Sequence, residues 1–201
     1  MPRITPLPRS KFPVGARILS RLQQRMLGEE ADTLALTAHS PGLVWSSAWM
    51  DKFLISKRSV PGRLIELVSV KTALELGCTF CIDLGSYVAA SHHDVSGEEL
   101  RALSAHEDSA CFTEAEKAAF SLAVAMSATP QTADDALFAR LAEHFTERQV
   151  IELTATVAWE NYRSRMNLAL GLTAQGYSDP GVCAVPLASA ADAAVREGAA
   201  A

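Results

Sequence analysis

Two cysteines separated by two residues, Cys78 and Cys81, are the residues of this sequence best suited to chemistry. Gly77 ends one helical pattern and the cysteines open the next, so we expect both thiols in the first turn of a helix. Free backbone N–H groups and the positive end of the helix dipole favour the thiolate there, which is the reactive form. The spacing predicts a pair that reduces an oxidant through a sulfenic acid and then closes to a disulfide.

Glu66 is the third candidate catalytic residue. On a helix it shares a face with Val70 and Gly77, so we expect its carboxylate to be partly buried. Burial raises the pKa of a carboxylate toward the range that is useful for general acid/base chemistry. On one straight helix Glu66 and Cys78 would lie roughly 18 Å apart. The two can therefore cooperate only if the chain turns back at Gly77, as a glycine allows.

The pattern Glu66-x11-Cys78-x-x-Cys81 resembles the signature of alkylhydroperoxidase D, and a looser resemblance extends over residues 39–176. The chain is identified as a member of the carboxymuconolactone decarboxylase / alkylhydroperoxidase D-like family. The resemblance implies a hydroperoxide reductase of the peroxiredoxin type, with an external dithiol reductant and no cofactor. It makes Glu66 the relay acid, Cys81 the attacking thiol and Cys78 its resolving partner, whereas the helix-end argument alone favours Cys78 as the attacking thiol. It also implies a homo-oligomer, a trimer or hexamer.

The sequence departs from that pattern at its histidines. The peroxidases have a histidine four residues after the second cysteine and commonly another just before it, and these positions are Gly85 and Phe80 here. Imidazole is the usual proton carrier near neutral pH, so the proton route that the resemblance implies lacks its central group. Asp83 and Ser86 are the nearby polar residues that we expect to take over part of that role.

Other functions are compatible with the same residues. A cofactor-free decarboxylase or isomerase of a carboxylated lactone would use Glu66, together with an arginine such as Arg165 that can hold a carboxylate. If the protein is a non-catalytic oligomeric redox sensor, oxidation of the cysteines would instead change how the chains assemble. A buried ion pair of Glu66 with Arg163 or Arg165 is the structural alternative to catalysis. A zinc site is disfavoured because no second CxxC and no HxxxH motif supplies further ligands.

The remaining conspicuous side chains are assigned structural roles. We expect Cys111 in the core, Cys183 in the C-terminal tail, and His92 and His93 at a helix end. The polar set of Asn161, Arg163, Arg165 and Asn167 is expected on a solvated or interfacial face, with an anion pocket as the functional alternative. Core or subunit-interface anchors are expected at Trp45, Trp49 and Trp159.

The elements that must position these residues are predicted to be helices. Strand patterns are nearly absent, and a hydroxyl residue followed three positions later by an acidic or amide residue recurs before apolar segments, which is typical of helix N-termini. This signature occurs at Ser96, Thr113, Thr132 and Thr146. The predicted helices lie near 15–30, 42–55, 61–76, 79–92, 97–105, 114–127, 134–144 and 147–176. The expected fold is an all-α, multi-helix alkylhydroperoxidase D-like bundle with the CxxC at a helix N-terminus.

The composition is that of one globular domain. With 201 residues, 49% of them hydrophobic, the chain can bury a core without a metal or disulfide staple. The net charge of −5 and the lack of a basic stripe argue against nucleic-acid binding, and no apolar run is long enough to suggest a membrane span or a signal peptide. Four scattered cysteines favour the cytoplasm. We divide the chain into an irregular arm (1–14), one helical domain (15–180) and an Ala-rich flexible tail (181–201).

Overall fold

The computed structural model describes residues 2–27, 31–56 and 58–185, and within these ranges the regular structure is entirely helical. The all-α prediction is therefore confirmed. None of the described helices is both long and apolar enough to cross a membrane. The α-helices are α1 Val14–Leu27, α2 Asp32–Thr37, α3 Pro41–Ser56, α4 Gly62–Leu76, α5 Thr79–His93, α6 Gly97–Ala102, α7 Glu114–Ser127, α8 Asp135–Ala142 and α9 Glu147–Leu170.

Three of the four predicted N-terminal caps are confirmed as complete capping boxes. In each of them the cap hydroxyl accepts the third backbone N–H and the third side chain bonds back to the cap N–H. They lie at Ser96, Thr113 and Thr146. The expectation for Thr132 was wrong, because Asp134 caps α8 by accepting the N–H of Leu137. An aspartate is as good a cap as threonine, and its charge suits the positive helix end.

Two helix predictions needed correction. The last helix ends at Leu170 and does not continue to 176, because Gly171 adopts a left-handed conformation with φ of 75°. The short helix α2 was not expected; its six residues carry no side-chain cap, and it forms by burying Leu34 and Leu36. The end of the first predicted helix, 28–30, lies outside the described residues.

Helix α4 occupies the centre of the main core. It is buried on most of its sides, with Leu67, Val68 and Val70 all fully or almost fully buried. It packs against α5, α7 and α9 in the main core. Because α4 lies between these helices, it fixes how α5 and α9 approach each other.

The two lone cysteines lie opposite to expectation. Cys183 is buried in the main core, whereas Cys111 is exposed. The chain before position 185 folds back onto α5, where the N–H of Ala184 donates to Ser86 Oγ at 3.1 Å. The described start of the predicted tail is thus docked, and residues 186–201 lie outside the described residues.

Helices α1 and α3 carry an exposed apolar surface, which we call the α1/α3 face. The two helices are contiguous here, since the Trp45 ring lies directly against Gly15. Trp45 and Trp49 are therefore not core residues, while Trp159 is partly buried and donates to Asp51 at 2.8 Å. Exposed patches of this kind are typical of protein interfaces. The α1/α3 face comprises Val14, Ile18, Leu22, Trp45, Trp49 and Phe53.

The homo-oligomer stays a prediction, and this face supplies its test. If the α1/α3 face joins copies of the chain, Trp49→Asp should shift the particle mass measured by light scattering toward that of one chain, since a charge would be buried unpaired. Phe138→Asp is the matched control, because Phe138 is an exposed apolar residue on α8. A wild-type protein of single-chain mass, or a Trp49→Asp variant of unchanged mass, would contradict the prediction.

Candidate active site

The site begins at the turn between α4 and α5. Gly77 has φ of 68°, a left-handed conformation that a glycine adopts without strain. The N–H groups of Gly77 and Cys78 donate to the carbonyls of Leu74 and Ala73, each at 3.1 Å, and so close the end of α4. The expected turn at Gly77 is confirmed, and it sends α5 back along α4.

Cys78 and Cys81 form a disulfide at the start of α5, with their Cα atoms 5.3 Å apart. Cys78 is the N-cap residue, and its Sγ accepts the backbone N–H of Cys81 at 3.3 Å. Cys78 is fully buried, whereas Cys81 is partly exposed. The two cysteines therefore differ in exposure, and the side of Cys81 is the more open approach to the pair.

Asn167 is the residue that sequence reasoning missed. Its Nδ2 donates to Cys81 Sγ at 3.3 Å, and its Oδ1 accepts from Thr33 Oγ1 at the same distance. The expectation that Asn167 lies on a solvated or interfacial face was wrong, since it is only 5% exposed and its amide points to a sulfur of the same chain. The signal was present in the sequence: Asn167 shares a helical face with the apolar Leu153 and Val157.

Packing accounts for the residues that replace the family histidines. At Gly85 the two helices touch, and a Cβ there would lie 2.9 Å from Val70 Cγ2, so a histidine would require α5 to move. Phe80 is buried beside Cys78, with its ring edge-on to Tyr177 at 6.3 Å. Gly85 and Phe80 therefore both have a packing role at these positions.

The two histidines of α5 lie far from the thiols. As expected they end the helix, after which Asp94 takes a left-handed conformation. His93 lies beside Gly62 and Arg58, at the start of α4. Because it follows Cys81 by twelve residues on one helix, it is roughly 18 Å away and cannot contact the sulfur.

Asp83 and Ser86 do not replace the missing imidazole, contrary to expectation. Both are fully buried. The carboxylate of Asp83 accepts four backbone N–H groups of residues 175–178, at 2.8, 2.7, 3.2 and 2.9 Å, and the hydroxyl of Ser178 at 2.8 Å. The hydroxyl oxygen of Ser86 likewise accepts the backbone N–H of Ala184. These side chains hold the C-terminal segment against α5 and are not available for proton transfer.

Glu66 lies on α4 within a group of charged residues. Burial raises the pKa of its carboxyl, and Arg163 and Arg58 oppose that rise. Glu160 and Asp51 add negative charge nearby and raise the pKa of Glu66 further. A carboxyl group with a raised pKa keeps its proton to higher pH and can act as a general acid.

The arginines suggested as partners of Glu66 have different positions. Of the charged groups around Glu66, Arg163 acts most strongly on the pKa of its carboxyl. The ion pairs of Arg163, however, are with Glu160 and Asp51. Arg165 instead donates to the carbonyl of Ser127, at the end of α7, and to the hydroxyl of Thr129, in the connector that follows, at 3.4 and 3.3 Å.

The comparison of sequences places this chain in a family. Residues 43–125 match the carboxymuconolactone decarboxylase family. The chain is also 33% identical over 180 residues to the uncharacterized protein YnjA of Escherichia coli (strain K12), an alignment that spans 89% of this chain and 96% of YnjA. This chain therefore belongs to the carboxymuconolactone decarboxylase family.

Solved structures share the fold over most of the chain. The debrominase Bmp8, in its apo form, has a TM-score of 0.79 at 24% identity and covers 87% of this chain and 93% of its own. A cysteine-to-alanine variant of Bmp8 in complex with 2,3,4-tribromopyrrole has a TM-score of 0.79 at 23% identity, over 88% and 95%. The alkylhydroperoxidase AhpD core of a peroxidase-related protein from Ralstonia eutropha JMP134 has a TM-score of 0.76 at 17% identity, over 85% and 91%. The alkylhydroperoxidase D-like fold is confirmed.

The Asp83 anchor generates a stability prediction. Asp83→Asn should lower the free energy of unfolding by about 2–4 kcal/mol, because an amide presents donors to N–H groups that need an acceptor. Chemical denaturation of the reduced protein measures the loss. Asp94→Asn is the control, since it makes the same change at an exposed helix end and should cost less than about 0.5 kcal/mol. Equal stability of the two variants would show that the anchor contributes nothing.

Proposed function

We propose that this protein is a thiol-dependent oxidoreductase that reduces hydroperoxides with Cys78 and Cys81, assisted by Glu66. The observation that carries the proposal is the cysteine pair itself: a disulfide at a helix N-terminus in which Cys78 is fully buried and Cys81 is partly exposed. Such a pair stores and releases two electrons without any other group. Family membership and the alkylhydroperoxidase D-like fold support it.

Cys81 is the attacking thiol in this proposal. It is the more exposed of the two cysteines and lies in the first turn of α5, and the Asn167 amide donates to its sulfur, which favours the thiolate. The thiolate attacks the hydroperoxide: an S–O bond forms, the O–O bond breaks, and the leaving alkoxide takes a proton to become an alcohol. Glu66 is the proposed source of that proton.

Cys78 is the resolving thiol. It attacks the sulfenic acid of Cys81, so that the S–S bond forms, the S–O bond breaks and water leaves. In the reverse, reductive step an external dithiol attacks the sulfur of Cys81, the more exposed cysteine. Cys78 then leaves as a thiolate at the helix N-cap, where the N–H of Cys81 stabilises it. A reducing compartment such as the cytoplasm would supply that dithiol.

The lactone alternative has less support. It depends on Glu66 and Arg165 holding one substrate, and Arg165 instead donates to Ser127 and Thr129. The redox-sensor alternative uses the same disulfide but requires no repeated turnover. Supplying hydroperoxide and a dithiol continuously distinguishes a sensor from a peroxidase. A sensor is oxidised once, whereas a peroxidase consumes many equivalents of hydroperoxide per chain.

Reductive debromination is a second candidate, favoured by the extent of the fold shared with Bmp8. Replacing bromine by hydrogen on a bromopyrrole needs two electrons, which one dithiol supplies: two S–H groups become a disulfide, the C–Br bond becomes C–H, and bromide and a proton leave. Bromide release from 2,3,4-tribromopyrrole by the reduced protein tests it. Disulfide formation without bromide release would contradict it.

The proposal predicts distinct products for the two cysteine variants. With Cys78→Ser, hydrogen peroxide should leave a sulfenic acid at Cys81 that dimedone traps, because the resolving thiol is missing. With Cys81→Ser, the remaining buried thiol should react at least about tenfold more slowly than wild type. Mass spectrometry identifies the adduct and its site.

Cys111→Ser is the matched control, since Cys111 is an exposed cysteine outside the pair, and it should react like wild type. A sulfenic acid found at Cys78 in the Cys81→Ser variant, formed as fast as in wild type, would reverse the assigned roles. Unreactive Cys78→Ser and wild-type proteins would exclude peroxide as the substrate.

A further inference from the structure

The side-chain amide of Asn167 joins the cysteine pair to helix α2. Its Nδ2 donates to Cys81 Sγ, and its Oδ1 accepts the hydroxyl proton of Thr33, each at 3.3 Å. Thr33 is the second residue of α2 and lies 134 positions before Asn167 in the chain. Helix α2, which was not expected from the sequence, therefore brings a hydroxyl to the amide that contacts the sulfur.

The hydroxyl of Thr33 determines which end of this amide faces Cys81. An asparagine side chain carries an acceptor oxygen and a donor NH₂ group, which exchange places when the amide turns over. Because the proton of Thr33 lies on Oδ1, the NH₂ group points to the sulfur. The reversed amide would place its oxygen there, where it would repel a thiolate and accept the proton of a thiol. The observed orientation therefore favours the thiolate.

Packing keeps α2 next to the cysteine pair. Leu36 of α2 is buried in one apolar cluster with Cys78. The N–H of Asp32 donates to Gln175 Oε1 at 3.3 Å, and the backbone N–H of Gln175 donates in turn to Asp83 on α5 at 2.8 Å. The first turn of α2 is thereby fixed relative to α5, and with it the hydroxyl that orients the amide.

The hydrogen bond to Cys81 depends on the oxidation state of the sulfur. Asn167 and Cys78 are both buried, so little water competes with the amide. In such surroundings a hydrogen bond to an ionised group is much stronger than one to a neutral group. A disulfide sulfur is uncharged and a weak acceptor, whereas a thiolate carries a full negative charge. The amide therefore stabilises the reduced, ionised Cys81 more than it stabilises the disulfide.

We propose that Thr33 is a positioning residue for Cys81: it holds the Asn167 amide with its NH₂ group toward the sulfur, so that the two residues stabilise the Cys81 thiolate relative to the disulfide. The inference rests on the proposed function and deepens it, because it assigns a role in the thiol chemistry to α2. It concerns how readily the pair is reduced as well as how it attacks.

The stabilised thiolate takes part in the reductive half of the cycle as a leaving group. When one sulfur of an external dithiol has bonded to Cys81, Cys78 has left as a thiolate. The second sulfur of the dithiol then attacks the first: the mixed S–S bond breaks, an S–S bond forms within the reductant, and Cys81 leaves with the electron pair. Two electrons pass from the dithiol to the cysteine pair. A more stable thiolate is a better leaving group.

Titratable groups on the elements around Cys81 are the same in every variant compared below. Asp32 adjoins Thr33 on α2, and the others have bonding partners of their own. These others are Asp83 on α5, bonded to residues 175–178; Glu160 on α9, paired with Arg163; Glu75 on α4, paired with Lys71; Tyr177, bonded to Gln175; and Arg3, bonded to Leu168 and Ala169. A pH-dependent difference between the variants therefore reports on the amide.

The test is the equilibrium of the cysteine pair with reduced and oxidised glutathione, measured across pH in a Cys111→Ser background. Dividing the equilibrium constant of a variant by that of wild type cancels the ionisation of glutathione. Where the Cys81 thiol is protonated, the amide faces a neutral sulfur and its loss changes little. Where the thiol is ionised, the full stabilisation is lost. The effect must therefore grow with pH, whereas altered strain in the disulfide would shift the equilibrium equally at every pH.

Asn167→Leu should disfavour reduction by at least about tenfold at high pH, and by much less at low pH. Thr33→Val should act in the same direction, because the amide is then free to turn over, whereas Thr33→Ser keeps the hydroxyl and should match wild type. Alkylation of Cys81 by iodoacetamide gives a second readout. The midpoint of its pH profile should rise by about one unit in Asn167→Leu, with no loss of rate at high pH.

Thr37→Val and Asn161→Leu are the matched controls. The hydroxyl of Thr37 donates to backbone carbonyls of its own helix α2, and the amide of Asn161 on α9 donates to Ser127 Oγ at 3.2 Å. These two variants make the same changes on the same helices without touching the amide at the sulfur. Both should keep the wild-type equilibrium and the wild-type alkylation profile.

The outcomes separate the inference from the proposed function. If Asn167→Leu matches wild type or shifts the equilibrium equally at every pH, the inference is wrong, while rapid hydroperoxide reduction by wild type would still support the function. A pH-dependent shift in Asn167→Leu without one in Thr33→Val would overturn the role of Thr33. If the variants behave as expected but wild type reacts with hydroperoxide no faster than free cysteine, the inference holds and the proposed function is wrong.

Discussion

The left-handed turn at Gly77 is the constraint on which the rest of the site depends. It ends α4 and lets α5 begin at once, so that Cys78 becomes the cap and Cys81 falls in the first turn. The same turn sends α5 back along α4, toward Glu66. With a β-branched residue at this position, the left-handed conformation would be strained, and the cysteines would lose their relation to the helix end.

Polar residues around the cysteines divide into two groups with different roles. Those on α5, Asp83 and Ser86, are fully used in holding the C-terminal segment. Those on α9 lie toward the thiol and the glutamate. Helix α5 therefore presents the sulfurs, while the two of its polar side chains that were expected to assist them hold the C-terminal segment instead. The amide that does contact a sulfur, that of Asn167, comes from α9.

Local signals were sufficient for most of the fold. Three capping boxes and the turn at Gly77 are encoded in adjacent residues, and each was predicted correctly. The errors about Asn167, Asp83 and Cys183 share a cause, because contacts distant in sequence place each of these side chains. Asn167 contacts a sulfur 86 positions earlier, and Asp83 meets a loop more than 90 positions later. The burial of Cys183 likewise follows from how the chain folds back onto α5.

The central claim is that this dithiol reduces hydroperoxides with the help of Glu66, and one kinetic measurement tests it most directly. Reduced protein is mixed with one equivalent of cumene hydroperoxide, and disulfide and alcohol are followed in time for wild type and Glu66→Gln. We expect one Cys78–Cys81 disulfide and one alcohol per hydroperoxide. The wild-type reaction should be far faster than that of free cysteine, and Glu66→Gln should slow it at least tenfold, as expected for loss of an acid. Thiols that react no faster than free cysteine, or a Glu66→Gln variant as fast as wild type, would contradict it.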